Sequence, residues 1–482
     1  MTHPMKDEAI TAAAELPTQI WRWDAVDVAA HIRLGTISSR EALSSSFERT
    51  DALNPRLNAI VFADRERAWL AADAADSQVR RGENLGLLHG VPVTIKLNVD
   101  VEGEATTNGV PAFAERIAPG DSTVVSNLRK AGAINVGRTN TPPFSFRWFT
   151  ENPLHGRTLN PWSDAVTSGG SSGGAGVSVA AGMCALAHGT DIAGSIRYPA
   201  YVNGVAGLRA TPGRIAAFHP TTGLRYLGLQ TMSAQGPLAR SMRDLRLGLS
   251  AMASADRRDP MWVPAQMDYP DDLAAVRVAL VDEIAGSSLA PAIKKALNDA
   301  AHILEAAGYR VERATPPGMI EGVEIWQSIV MTEARLGMYA GVRAMGDGTI
   351  LRAVDNMAAG APDIDLQGYA LAIARRDDLR RKWNEFLSRY PLILMPTSCR
   401  LPMKWGEDLG TTEDMKGVLV DQSPLITVAA LCLPGLNVPT GVVDGLPVGV
   451  QLVADSYREQ RLLVAGAIIE REVRMPDLHD RI

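Results

Sequence analysis

Thr167-Ser168-Gly169-Gly170-Ser171-Ser172-Gly173-Gly174 and Gly189-Thr190-Asp191-Ile192-Ala193-Gly194-Ser195-Ile196-Arg197 are two glycine-rich strings. Their serines, Ser171 and Ser195, stand 24 positions apart (195 − 171). Small residues let backbone approach a ligand closely. A serine in such a setting is a candidate nucleophile, and the bare N–H groups around it are candidate donors to a developing oxyanion. Between the strings, Gly174 to Leu186 is the most apolar stretch of the chain. Broken by Gly176 and Gly182 and too short for a membrane span, it reads as a buried helix.

Working outward, elements alternate. Val91-Pro92-Val93-Thr94-Ile95-Lys96 reads as a short strand ending in a lysine, Val124 to Ala131 as a helix, and Ala133 to Gly137 as a strand. Residues 23–80 read as helical, with Ser38 and Ser39 ahead of Arg40-Glu41 as a helix start and Leu43, Phe47 and Leu53 on a buried side. Farther on, Val276 to Val281, Tyr309 to Glu312, Leu392 to Met395 and Gly445 to Val453 read as strands, and Pro291 to Ala307 and Leu366 to Arg389 as helices. Residues 255–272 read as a surface connection and the Gly- and Ala-rich 340–364 as a variable loop. The cluster Arg375 to Lys382 reads as a solvated face. This alternation predicts an α/β fold, a mainly parallel or mixed sheet with helices on its faces.

The whole chain sets bounds. It has 482 residues, 46% hydrophobic and 21% charged, which is a globular composition. A net charge of −6 speaks against nucleic acid as partner. Three scattered cysteines, Cys184, Cys399 and Cys432, support neither a disulfide framework nor a cysteine zinc site, and fit a reducing cytoplasm. The first residues carry no signal-peptide pattern, and no run of about 18 apolar residues suggests a membrane span.

Several chemistries fail on the residues. No lysine follows Gly173-Gly174 as a phosphate loop requires, and neither serine sits in G-x-S-x-G. No H-E-x-x-H helix is present, and no metal or cofactor is expected. His188 follows an apolar stretch and reads as structural rather than as a base. A buried lysine can serve instead, because desolvation lowers its reference pKa of about 10.4 toward the neutral form. Lys96, at the end of an apolar strand, is a candidate, although taken alone such a lysine is more often a surface residue.

These residues resemble the amidase-signature hydrolases over nearly the whole chain. Four blocks carry the resemblance in order: Gly90 to Lys96; Thr139-Asn140-Thr141-Pro142 through Thr150-Glu151-Asn152 to Asn160-Pro161-Trp162; the two serine strings on to Gly204-Val205-Ala206-Gly207-Leu208; and Gly445 to Leu452. The resemblance implies one large domain with a large central mixed, twisted sheet covered by helices on both faces. Within it, 1–80 would be a helical part, 85–250 the catalytic core, 255–390 a variable substrate side and 391–482 the end of the sheet. It also implies Ser195 as nucleophile, Ser171 as bridging serine on a cis peptide bond, and Lys96 as general base. The backbone N–H groups of Ile192, Ala193, Gly194 and Ser195 would form the oxyanion hole. Many members carry Gly-Gly before the nucleophile; here the pair is Ala193-Gly194, so ordinary φ is expected at Ala193. Arg197 is a structural ion-pair partner or a site residue, with the structural role favoured.

The segment Pro143-Phe144-Ser145-Phe146-Arg147-Trp148-Phe149 departs from the family, many members of which have an acidic residue at position 143 and smaller ones after it. At least two of its four aromatics are expected in the core. Phe144, Ser145 and Phe146, with Gly170 and Tyr198, are the expected substrate-binding residues, and Trp326, Ile329 and Met331 are further candidates. The expected activity is hydrolysis of aryl or hydrophobic acyl amides through an acyl-enzyme, with esters and carbamates also cleaved. A carbamate hydrolase and the glutaminase-type subunit of a tRNA-dependent amidotransferase remain the alternatives. The expected partners are a small molecule and, at most, a second copy of the chain, as monomer or homodimer.

Overall fold

Short runs of β-branched and apolar residues, bounded by glycine, proline or turns, become thirteen strands among the described residues. They are β1 Ile60–Phe62, β2 Pro92–Lys96, β3 Ile134–Thr139, β4 Glu151–Asn152, β5 Gly156–Arg157, β6 Leu186–Asp191, β7 Ala206–Arg209, β8 Ala234–Ala239, β9 Arg277–Leu280, β10 Arg310–Arg313, β11 Leu392–Pro396, β12 Gly435–Val443 and β13 Leu446–Ala454. The computed structural model describes residues 16–221, 223–267, 276–345, 347–473, 475–476 and 478. The N-terminal segment read for a signal peptide and residues 268–272 of the surface connection lie outside these.

Eleven strands form one sheet in the order β1-β3-β2-β6-β8-β7-β12-β13-β11-β9-β10, while β4 and β5 pair separately. Strand β2 is parallel to both β3 and β6, and β9 is parallel to both β10 and β11. The other pairings are antiparallel. The sheet is therefore mixed, and helices cover both its faces in a single α/β domain. The helices Gly173–Ala180 and Arg197–Asn203 follow the two serine strings and pack together.

Three sequence readings change. The apolar stretch from Gly174 is helical only to Ala180; Gly182 takes φ +75° and the chain re-enters the sheet at Leu186. Residues 23–80 are not wholly helical, because Ile60–Phe62 forms an edge strand against β3. Residues 340–364 are not a loop. They hold most of the helix Met338–Met345 and all of Gly348–Ala359. The second starts where the Asp347 carboxylate accepts from Thr349 N and Ile350 N, both at 2.8 Å, a side-chain N-cap. Ile350, Ala353, Val354 and Met357 are its buried stripe.

The pairing of β2 with β6 positions the site. Parallel neighbours end on the same side of the sheet, so Lys96, last in β2, and Asp191, last in β6, lie at carboxyl ends. In open α/β sheets that is where ligands bind.

Candidate active site

Lys96 is 0% exposed, and its Nζ lies 2.7 Å from Ser171 Oγ and 2.9 Å from Thr190 Oγ1. Asn98 Nδ2 donates to the same threonine oxygen at 3.0 Å, which fixes the hydroxyl that holds the amine. Burial pushes the Lys96 amine well below its ordinary 10.5, and the negative charge of Asp191 only partly opposes this. The shift favours the neutral form of the amine.

Ser171 follows a cis Gly170–Ser171 peptide bond. Glycine at 170 is required by crowding: a Cβ there would stand 2.7 Å from Phe149 N and from Trp148 C. Gly170 thus packs on the backbone of 147–149 and does not line the recess described below. Ser172 ties the two strings together: its N–H donates to Ser195 O at 3.2 Å, and its hydroxyl donates to Thr190 O at 3.3 Å. Ser171 is 1% exposed and Ser195 6%, and it is Ser195 that opens into a recess.

The turn after β6 is held from several sides. Trp326 Nε1 donates to Ile192 O and Trp148 Nε1 to Ala193 O, each at 3.0 Å. The Asp191 carboxylate accepts from Gly194 N at 2.8 Å and from Ile196 N at 3.2 Å. Gly194 takes φ +99°, while Ala193 is not among the residues with positive φ. The departure from Gly-Gly is therefore harmless, since the left-handed residue is 194. One expectation is corrected here. The Gly194 N–H points at Asp191 and is not free for an oxyanion. Among the described residues no partner pairs with the N–H of Ile192, Ala193 or Ser195.

Asp191 is a fully buried carboxylate. Burial alone would raise its pKa, but Arg197 and Arg209 hold it well below the usual carboxylate range. Arg197 donates to it through Nε and Nη2, each at 3.0 Å, to Gln451 Oε1 at 2.6 Å and to Leu425 O at 2.9 Å. These contacts make Arg197 a structural ion-pair partner. His188 is also structural: burial lowers its pKa to about 3, and its Nε2 pairs with Gln235 Oε1 at 2.8 Å.

The recess in front of Ser195 has a cavity volume of about 30 Å³ and is lined by Ser145, Phe146, Arg147, Trp148, Ile192, Ala193, Trp326 and Met357. That is room for water-sized groups only, well under the roughly 300–1,000 Å³ typical of ligand pockets. Ser145 and Phe146 are brought to it as expected. Phe144 is not: it turns away to pack with Phe113 and the cluster around Val342, Ile350 and Val354. Tyr198 is not either. It is 0% exposed, and its hydroxyl oxygen accepts from Met403 N at 3.1 Å, so it belongs to the core. Ile329 and Met331 are buried away from the recess, whereas Trp326 forms part of its wall. Arg147 is bound through Nε and Nη2 to Asp408 at 2.6 and 2.9 Å, so its charge is neutralised. The sequence reading assigned no role to Arg147, Trp148, Thr190 or Met357. The first three stand inside motifs already quoted, so nearness to the serines was their signal; Met357 had only its helical stripe.

A desolvated amine thus lies against one serine hydroxyl, beside a second serine that faces an apolar recess. The sequence profile named Amidase matches residues 41–463, and the chain belongs to that family. It is 46% identical to an indoleacetamide hydrolase of Bradyrhizobium diazoefficiens, an alignment covering 94% of this chain and 86% of that protein. It is 33% identical to an acylamidase of Rhodococcus erythropolis, over 92% of this chain and 94% of the other. The structure of a bacterial aryl acylamidase of the amidase-signature family superposes with a TM-score of 0.82 at 25% identity, covering 95% of this chain and 98% of that one. The protein is an amidase that hydrolyses amide C–N bonds.

Proposed function

We propose that this amidase releases ammonia from amides of neutral aryl- or indolyl-acetic acids, through a Lys96–Ser171–Ser195 relay and an acyl-enzyme. The recess carries this reading. Its walls are Phe146, Trp148, Trp326 and Met357, and its cation, Arg147, is already paired with Asp408. The chemistry of such walls favours a flat apolar acyl group, and an anionic one finds no free positive charge. The likeness to an indoleacetamide hydrolase points the same way.

In the proposed cycle neutral Lys96 accepts the Ser171 proton as Ser171 accepts that of Ser195. Ser195 Oγ forms a bond to the amide carbon, and the oxyanion takes hydrogen bonds from the N–H groups of Ile192, Ala193 and Ser195. Ser171 then donates a proton to the leaving nitrogen as the C–N bond breaks, and recovers one from Lys96. Water repeats the sequence on the acyl-enzyme. Esters and carbamates present the same carbonyl and leaving group, so an activated aryl ester should give a burst of phenol. The cycle takes place among protein groups, substrate and water in the cytoplasm, with the chain as monomer or homodimer.

Ammonia release from indoleacetamide by the purified chain tests the reading. Ser195→Ala should reduce kcat by about 10⁴-fold or more with the fold unchanged. Turnover of glutamine in preference to aryl acetamides would overturn the substrate class, and activity surviving in Ser195→Ala would overturn the nucleophile.

A further inference from the structure

Two tryptophan side chains grip consecutive carbonyls of the turn that carries Ser195, and they do different things. A trans peptide plane points its C=O and its N–H in opposite directions. In the plane joining Ala193 to Gly194, the oxygen is held by Trp148 and the N–H by Asp191, so both ends are occupied inside the protein. In the plane joining Ile192 to Ala193, the oxygen is held by Trp326 and the N–H has no partner among the described residues. Pulling that oxygen to one side aims the Ala193 N–H to the other, and Ile192, Ala193, Ser195 and Trp326 all line the recess. A carbonyl that accepts a hydrogen bond also polarises its peptide, which strengthens the opposite N–H as a donor.

We infer that Trp326 is a positioning residue for the oxyanion donor at Ala193, and that its indole N–H, rather than its ring alone, sets the rate of this amidase. The inference rests on the proposed role of the turn as oxyanion hole. Trp326 sits at 2% exposure on the helix Met319–Leu336, which also presents its ring to the recess. One side chain therefore touches the substrate's apolar group and orders the backbone that must stabilise its developing charge. This pairs acyl-group recognition with turnover: a substrate that leaves the indole undisturbed keeps the donor aimed, and one that displaces it loses rate as well as affinity.

Trp326→Phe keeps an aromatic wall and removes the N–H. Losing a whole oxyanion donor costs about 10²–10³ in kcat, so losing only its aim should cost about 10-fold. The expected result is a kcat about 10-fold lower with KM within about 2-fold. Affinity for the aldehyde analogue of the acyl group, which becomes an oxyanion on Ser195, should fall by the same factor as kcat/KM. Affinity for the product carboxylic acid in its neutral form should stay unchanged. Introducing 3-benzothienylalanine at position 326, which replaces the N–H by sulfur at nearly equal volume, gives the same readout if phenylalanine unsettles the fold. Trp148→Phe is the control: its plane offers no free N–H, so its effect on aldehyde affinity should be smaller than that of Trp326→Phe. An unchanged kcat in both 326 variants, or equal losses for aldehyde and acid, overturns the inference. Activity persisting in Ser195→Ala overturns the underlying mechanism instead, so the two failures are distinguishable.

Discussion

Lys96 shows how one residue's chemistry depends on its surroundings. It is fully buried, and desolvation keeps its amine well below 10.5. The base works only when neutral, so kcat/KM should rise with pH as Lys96 loses its proton and level off far below 10.5. Stability follows from the same shift. Between the lowered folded pKa and 10.5, the unfolded chain binds more protons at this site than the folded one, so the contribution of Lys96 to stability rises with pH over that window. Lys96→Met removes the site. It should lower kcat by several orders of magnitude, because the relay has no second base. The variant should also gain stability relative to the wild type as pH falls, with the gap closing toward pH 10. Urea midpoints at pH 7 and 9.5 measure this, and parallel curves for the two proteins would contradict a depressed amine. The sequence alone offered Lys96 as an ordinary strand-end lysine. It read as a base only beside the two serine strings, because its hydrogen-bond partners, Ser171 and Thr190, come from 75 and 94 positions away.

At the scale of elements, the site is made of turns, and turns need particular backbone. Gly194 takes φ +99°, and a Cβ there would stand 2.6 Å from Leu425 Cδ1. Gly194→Ala should cost about 1–3 kcal/mol from backbone strain alone. It should lower kcat more than 10-fold as the 192–195 turn shifts. Thermal unfolding beside single-turnover rates would check both, and a variant with wild-type rate would mean that the turn tolerates movement. Six strands (β2, β3, β9, β10, β11 and β13) and several helices were legible because their buried faces repeat every two or 3.6 residues, whereas β1, β4 to β8 and β12 were not read as strands. The helix Gly348–Ala359 was missed even though Ile350, Ala353, Val354 and Met357 keep the i, i+3, i+4, i+7 spacing. Glycines and alanines around that stripe diluted its signal, and Met357 was lost as a pocket residue with it. Phe144 and Tyr198 failed for a different reason. Composition shows that aromatics crowd near the serines, but direction depends on local backbone. Phe144 and Ser145 both adopt left-handed φ, of 57° and 56°, which turns Phe144 outward and delivers Ser145 and Phe146 to the recess.

Across the whole molecule, Asp191 is the point where distant parts of the chain meet. It ends β6, and around it gather Arg197, Arg209 from β7, Gln451 from β13 through Arg197, and the Leu425 carbonyl. Arg209 reaches further, to Leu433 O and Met232 O. One carboxylate thus links the early half of the sheet to segments over 200 residues away, which fits a single domain whose early strands (β1 to β8) and late strands (β9 to β13) join where β7 pairs with β12. It also faces the relay, since its charge raises the Lys96 pKa against desolvation. Asp191→Asn tests both roles with opposite-looking results. Two buried guanidinium groups lose their counter-charge, so stability should fall by about 3–5 kcal/mol. Lys96 loses the one charge that favoured its protonated form, so its pKa should fall further. The acid limb of kcat/KM should therefore move to lower pH, even as the folded fraction and the rate decline. Rates corrected for folded protein, measured across pH 5 to 9, separate the effects. A limb that moves to higher pH, or stays in place while stability drops, would show that Asp191 does not act on the amine and serves the fold alone.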